Sequence, residues 1–216
     1  MEDKKYELLK DDYKEVFGIK SYRIRALKDF GDVKKGDVGG YIQNEENLSQ
    51  KNTCWVYGEA EVWGEARVYG GAEIYGKVEV YGGAKVYGKA RVRGKARVYG
   101  GAKVYGEARV YGGAEIYGKV EVYGKAEVYG GAEVYGEAEI KSLQDYIVFK
   151  NNWSSGRSFT WTRSNDMWNV GCFYGNGKEL IKKAYKDSKL SGDMYKMYVE
   201  LVEKIKERLK EEENDG

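Results

Sequence analysis

Arg157, Phe159, Trp161 and Arg163 recur at every second position, and alternate residues of an extended strand share one face. Two guanidinium groups then bracket two aromatic rings, with Ser158, Thr160 and Thr162 on the opposite face. The chemistry this spacing allows is capture of a nucleotide-like anion, its base stacked on Trp161 and its phosphates bound bidentately by Arg157 and Arg163. The preceding loop adds Trp153, Ser154 and Ser155, which supply hydroxyls and backbone amides. The same alternation also fits a different arrangement, in which Phe159 and Trp161 face two amphipathic helices as the core of a small module.

What the sequence lacks narrows the chemistry further. Its 216 residues include no histidine, the usual general base near neutral pH and the commonest metal ligand. No catalytic residue, metal site or cofactor is therefore expected, and the chain reads as a binding protein rather than an enzyme. Lys and Arg number 37 against 35 Asp and Glu, so no overall charge draws the chain to nucleic acid or to an anionic membrane. Sequence-specific nucleic-acid binding and membrane association are not expected. No apolar stretch approaches the roughly 18 residues of a membrane span, and the charged start MEDKKYELLKDD is unlike a secretory signal. A cytoplasmic location follows as an expectation. Cys54 and Cys172 have no disulfide-framework or metal spacing, and both are expected to be small buried side chains.

The scaffold that must position these groups is written in the middle of the chain. From Val56 to Glu139, 84 residues run as fourteen hexads without an insertion. The first position is always Val or Ile, the third always Gly, and the fifth Ala except at Val78 and Val120. The second is Tyr except at Trp63 and Arg93. Aliphatic first and fifth positions predict an interior, and the glycine predicts a corner, so each hexad is one strand plus one turn. Residues eighteen apart should stack, which sets the tyrosines in ladders on the outer faces. Residues 64–82 recur unchanged at 106–124, an offset of two coils plus one hexad. The copies should lie on different faces, as repeat slippage produces, and the shaft reads as scaffold. Seven basic residues and no acidic one lie between Lys85 and Lys103, a belt without an assigned role.

This pattern resembles the left-handed parallel β-helix of hexapeptide-repeat proteins, in which three hexads make a triangular coil. The run Arg23 to Gly58, with DFGDVKKGDVGGYI, LSQ and CWVYG, resembles the amino-terminal cap of such proteins in bacteriophages and prophages. It is more distantly similar to an enterobacterial family labelled as transferases. Ser155, Gly156, Arg157, Thr160, Arg163, Gly171, Cys172 and Phe173 match motifs in the carboxy-terminal domain of the same phage proteins, although the order here is Ser-Gly-Arg where those have Gly-Ser-Arg. A histidine often found there before the last helix is missing. Acyltransferases and zinc anhydrases on this scaffold need histidines that this chain does not have.

The expected fold is mainly β: an amino-terminal β cap over 1–55, a hexapeptide-repeat β-helix over 56–140 and a small α+β domain over 141–216. In the cap, strands are expected over Tyr6–Leu9, Tyr13–Phe17 and Tyr22–Leu27, and Ile42, Leu48 and Cys54, spaced by six, predict an irregular start to the solenoid. In the last domain, strands Tyr146–Lys150, Ser158–Arg163 and Met167–Tyr174 precede helices over Lys178–Asp187 and about Asp193–Glu212. The resemblance implies a homotrimer. By analogy with phage sponge proteins it also implies sequestration, in the host cytoplasm, of a small anionic ligand such as a host-defence nucleotide signal. The competing expectation is a virion-associated spacer whose end domain grips a protein partner.

Overall fold

The computed structural model describes residues 4–214. The aliphatic first position and the small fifth position of every hexad are buried, and the third-position glycine turns the corner at positive φ. Two-residue strands such as Arg91–Val92, Arg97–Val98 and Lys103–Val104 fall in turn on three parallel sheets. Each pairs with the strand eighteen residues on, as Arg97 does with Glu115 and Val98 with Ile116. The chain is thus a parallel β-solenoid of about six turns around a column of Val, Ile and Ala. The duplicated segments do lie on different faces: Arg67–Val68 and Arg109–Val110 belong to different sheets.

Stacking every strand in parallel gives the backbone a direction. Each coil donates N–H groups to carbonyls of the next, as Arg97 does to Ala114 (2.9 Å) and Tyr99 to Ile116 (2.9 Å). A parallel ladder also runs bonds in the reverse sense, so both ends of the stack present carbonyls and N–H groups that must be satisfied where they are buried. At the first end the donors are side chains. Lys5 Nζ donates to the Cys54 carbonyl (2.9 Å), and where the first coil is irregular Asn47 Nδ2 donates to the second-coil carbonyls of Gly64 and Ala66 (both 2.9 Å). Arg23 donates to the carbonyls of Gly39 (3.1 Å) and Gly58 (3.3 Å). At the last end Thr160 Oγ1 accepts from Glu133 N–H (3.0 Å) and Ser164 Oγ from Glu139 N–H (2.8 Å), while Tyr146 Oη and Asn169 Nδ2 donate to the carbonyls of Glu127 (3.0 Å) and Glu133 (3.3 Å).

The first turn starts earlier than the clean repeats. Strand Val38–Ile42 pairs in parallel with Glu61–Val62, and Leu48 bridges to Val68, so Ile42 and Leu48 are rungs as their spacing predicts. The third rung is Val56 rather than Cys54, because two extra residues are taken up between Leu48 and Val56, where Asn52 adopts φ 59°. Ahead of this coil an antiparallel hairpin, Tyr6–Val16 with Ile19–Ala26, extends one sheet outward. The two segments Tyr6–Leu9 and Tyr13–Phe17 are one strand. A register shift between Leu9 and Tyr13 takes up the charged residues that suggested a break, and Phe17 forms the turn.

Aromatic rings run along the outside as the second-position pattern predicts. Trp63, Tyr81, Tyr99, Tyr117 and Tyr135 stack with centroids 4.2–5.0 Å apart. The column of Tyr69, Tyr87, Tyr105 and Tyr123 spans 4.8–5.1 Å per step. Glutamates bind these columns from beside: Glu121 accepts from Tyr105 Oη (2.8 Å) and from Lys103 Nζ (2.7 Å). Burial between neighbouring rings raises the pKa of Tyr69, Tyr81, Tyr87 and Tyr99 above the ordinary 10.0, and nearby carboxylates add to the shift at Tyr81, Tyr87 and Tyr99. A raised folded-state value means that unfolded tyrosines release protons first, so folding stability is whole below pH 10 and falls as pH climbs beyond it. Thermal melts across pH 9 to 11 should show a midpoint flat up to about 10 and dropping thereafter; a midpoint unchanged at the alkaline end would mean that these hydroxyls are not desolvated.

The carboxy-terminal region packs against the open end of the last coil. Strands Tyr146–Lys150, Ser158–Thr162, Met167–Val170 and Phe173–Gly175 form an antiparallel sheet. The expected third strand is in fact two, folded back at Gly171, whose φ is 57°. Cys172 sits in that turn and is exposed, unlike the buried Cys54, because a hairpin tip has no layer above it. Helices α1 (Gly177–Asp187) and α2 (Lys189–Asn214) cover the far face of the sheet. Asn176 caps α1 in a reciprocal pair with Glu179, each bond 3.0 Å.

Candidate anion-binding site

The residues expected to bind a ligand at the carboxy-terminal end are spent largely on structure. Trp161 and Phe159 are fully buried with Trp168, Leu180, Ala184, Tyr195 and Val202. Trp161 Nε1 donates to Asp166 Oδ1 (2.9 Å). No face of the Trp161 ring is open to a base, because two amphipathic helices need an apolar sheet face to cover. Thr160 and Thr162, 1% and 4% exposed, lie on the other face. Thr160 meets Glu133 of the last coil, and Thr162 Oγ1 pairs with Asn165 Oδ1 (2.5 Å). The hydroxyl face is the seal on the solenoid.

Of the remaining expected residues, Trp153 is half-buried and stacks on Tyr198 at 5.5 Å. Ser154, Ser155 and Arg157 are exposed, and Arg163 is half-buried with its backbone N–H on the Asp145 carbonyl (2.8 Å). Six residues of extended chain put the Cα atoms of Arg157 and Arg163 about 20 Å apart. With core side chains between them, they do not converge on one phosphate. The Arg157 charge acts on Glu133, whose pKa burial and the Glu115 charge raise and Arg157 pulls back. The structure thus brings Trp153, Ser154, Ser155 and Arg157 to one exposed loop and takes Thr160, Trp161 and Thr162 out of solvent.

Cations do converge on the shaft. The outward residues of one face run Glu73, Arg91, Arg109, Glu127 in register, and the next positions run Tyr57, Tyr75, Arg93, Tyr111, Tyr129. Arg91 Nε binds Glu73 (2.8 Å) and Arg109 binds Glu127 (3.0 Å), each on its outer side. Arg91 and Arg109 are then directly opposite on adjacent strands, an arrangement of like charges that costs stability unless something neutralises it. Arg93 stands beside them where the tyrosine column is broken, its guanidinium 4.8 Å from the Tyr111 ring. Among the described residues no carboxylate lies within 4 Å of it.

These three arginines and Tyr75 line a groove of about 440 Å³, a volume suited to a small ligand. A larger groove of about 630 Å³ sets Glu45 and Glu46 against Arg67 and Lys85, so it offers no single sign of charge. The rest of the basic belt is largely answered by acid: Arg97 lies between Glu79 (3.8 Å) and Glu115 (3.1 Å), and Lys103 on Glu121 (2.7 Å). What distinguishes the arginine groove is that three cations face it and no carboxylate lines it. The stacking at eighteen residues expected from the repeat already sets Arg91 on Arg109; the groove that they line with Arg93 is what the structure adds.

The fold and this groove define a parallel β-solenoid sealed at both ends, with an arginine-lined groove on its shaft. No protein-family model matches the sequence, and no curated protein aligns with it significantly.

Proposed function

We propose that this chain is a non-catalytic, homotrimeric binding protein of the phage hexapeptide-repeat type, with a left-handed shaft, that captures a small anion without altering it. One observation carries the reading: Arg91, Arg93 and Arg109 converge on a groove with no carboxylate in its lining, two of them in like-charge register. An anion placed there relieves the repulsion and gains charge-assisted bonds. Titration with inorganic pyrophosphate, followed by calorimetry, should give saturable binding that weakens with salt. The double substitution R93Q/R109Q should lower the affinity at least tenfold, and Arg157→Ala should leave it unchanged. Phosphorus NMR should find the pyrophosphate intact after prolonged incubation. Uptake that survives R93Q/R109Q, or hydrolysis of the ligand, overturns the reading.

A second reading is a spacer whose end module grips another protein. The observation in its favour is an apolar stripe along α2, with Leu190, Met197 and Leu201 at 57%, 55% and 45% exposure. A spacer takes up no pyrophosphate, so the same titration separates the two.

A further inference from the structure

The column of Tyr57, Tyr75, Arg93, Tyr111 and Tyr129 lacks one aromatic rung. Coils repeat at about 4.8 Å, so Tyr75 and Tyr111, two coils apart, leave a space that holds one planar group at stacking distance from each. Elsewhere on the shaft a tyrosine fills that space, as Tyr99 does between Tyr81 (4.8 Å) and Tyr117 (5.0 Å). Here Arg93 leans onto Tyr111 (4.8 Å), and Tyr75, stacked on Tyr57 by one face (4.5 Å, 9°), lines the arginine groove. A flat, half-buried π-surface thus stands beside three guanidinium groups. The ligand that satisfies both is a heteroaromatic ring carrying phosphate.

We propose that the groove is a nucleotide site. The base stacks on the face of Tyr75 turned away from Tyr57, in the space of the missing rung. The phosphates lie between Arg91 and Arg109, and the exposed Arg93 side chain turns from Tyr111 onto them. The described lining holds a ring and guanidinium groups but no side-chain amide or carboxylate to read a base edge, so stacking accepts purines of either kind. This assignment rests on the anion-capture reading of the same groove and names its ligand class.

The test compares ADP with inorganic pyrophosphate by calorimetry on the full chain at matched ionic strength. Stacking on one tyrosine should make ADP bind about 5- to 150-fold more tightly than pyrophosphate. Tyr75→Leu should lower ADP affinity by that factor. Arg93→Tyr, which completes the ladder and so favours folding, should lose ADP by filling the rung. Saturation transfer from tyrosine ring protons should reach the adenine protons of bound ADP more strongly than those of the ribose. Equal affinity for ADP and pyrophosphate, or an ADP affinity unmoved by Tyr75→Leu, overturns the nucleotide assignment and leaves anion capture standing; an ADP affinity unmoved by Arg93→Tyr overturns both, because Arg93 belongs to the anion site. Failure of both ligands to bind overturns the two together.

Discussion

Trp161→Ala should melt the carboxy-terminal module well below the shaft and leave the shaft transition where it was. The side chain is fully buried among Phe159, Trp168, Leu180 and Tyr195, and its Nε1 holds Asp166, which in turn pairs with Lys206 (2.8 Å). Removing a buried tryptophan costs about 3–5 kcal/mol, a large share of what a small module has. The coils are insulated from that loss because each contacts only its neighbours. Calorimetry should resolve two transitions in the variant, with near-UV dichroism lost in the first. A single transition at the parental temperature would mean that Trp161 does not belong to that core, and the strand would again be open to a ligand.

Gly88→Ala should destabilise the shaft far more than Gly58→Ala, although both glycines hold the third position of a hexad. Both have positive φ, 71° and 61°, which costs a residue with a Cβ about 1–2 kcal/mol. At Gly58 an added Cβ meets nothing within 4 Å. At Gly88 it would lie 2.9 Å from Gly106 N and 3.0 Å from Gly106 O, the carbonyl that accepts from Lys89 N–H at 2.7 Å. The methyl group must push adjacent coils away from each other and weaken that bond, so the expected loss is about 3 kcal/mol or more against about 1–2 at Gly58. Urea denaturation measures both. Equal losses would show that the left-handed corner alone, rather than the close stacking of corners, requires the glycine.

The shaft was legible in the sequence because a repeat of six fixes burial, corner and ladder at once. Val92, Ala96 and Gly94 each take their place in the solenoid from position alone. The ends were less legible. Lys5, 1% exposed, is spent on the Cys54 carbonyl, a pairing across 49 residues that no local pattern announces. The burial of the expected site strand was hidden for a related reason. Alternation correctly assigned Thr160 and Trp161 to opposite faces of one strand, yet both faces are covered, one by the last coil and one by α1 and α2. Strand periodicity tells which side chains share a face and is silent on whether that face meets solvent. The groove was legible only in part: stacking at eighteen residues places Arg91 on Arg109, but how their side chains and that of Arg93 shape a groove is not written in the repeat.

The stacking of three hexads per coil also ties the two ends of the molecule together as an indexing mechanism. One hexad moves the chain on by one face, a third of a turn, and by about 1.6 Å along the axis, a third of the 4.8 Å coil spacing. Deleting or inserting a single hexad would therefore swing the helical module by about 120° relative to the amino-terminal hairpin while scarcely changing the length, and only a change of eighteen residues would restore the original heading. Recombination between near-identical repeats would thus sample a dial of three headings before it altered reach, and the run of hexads stores an orientation as well as a distance.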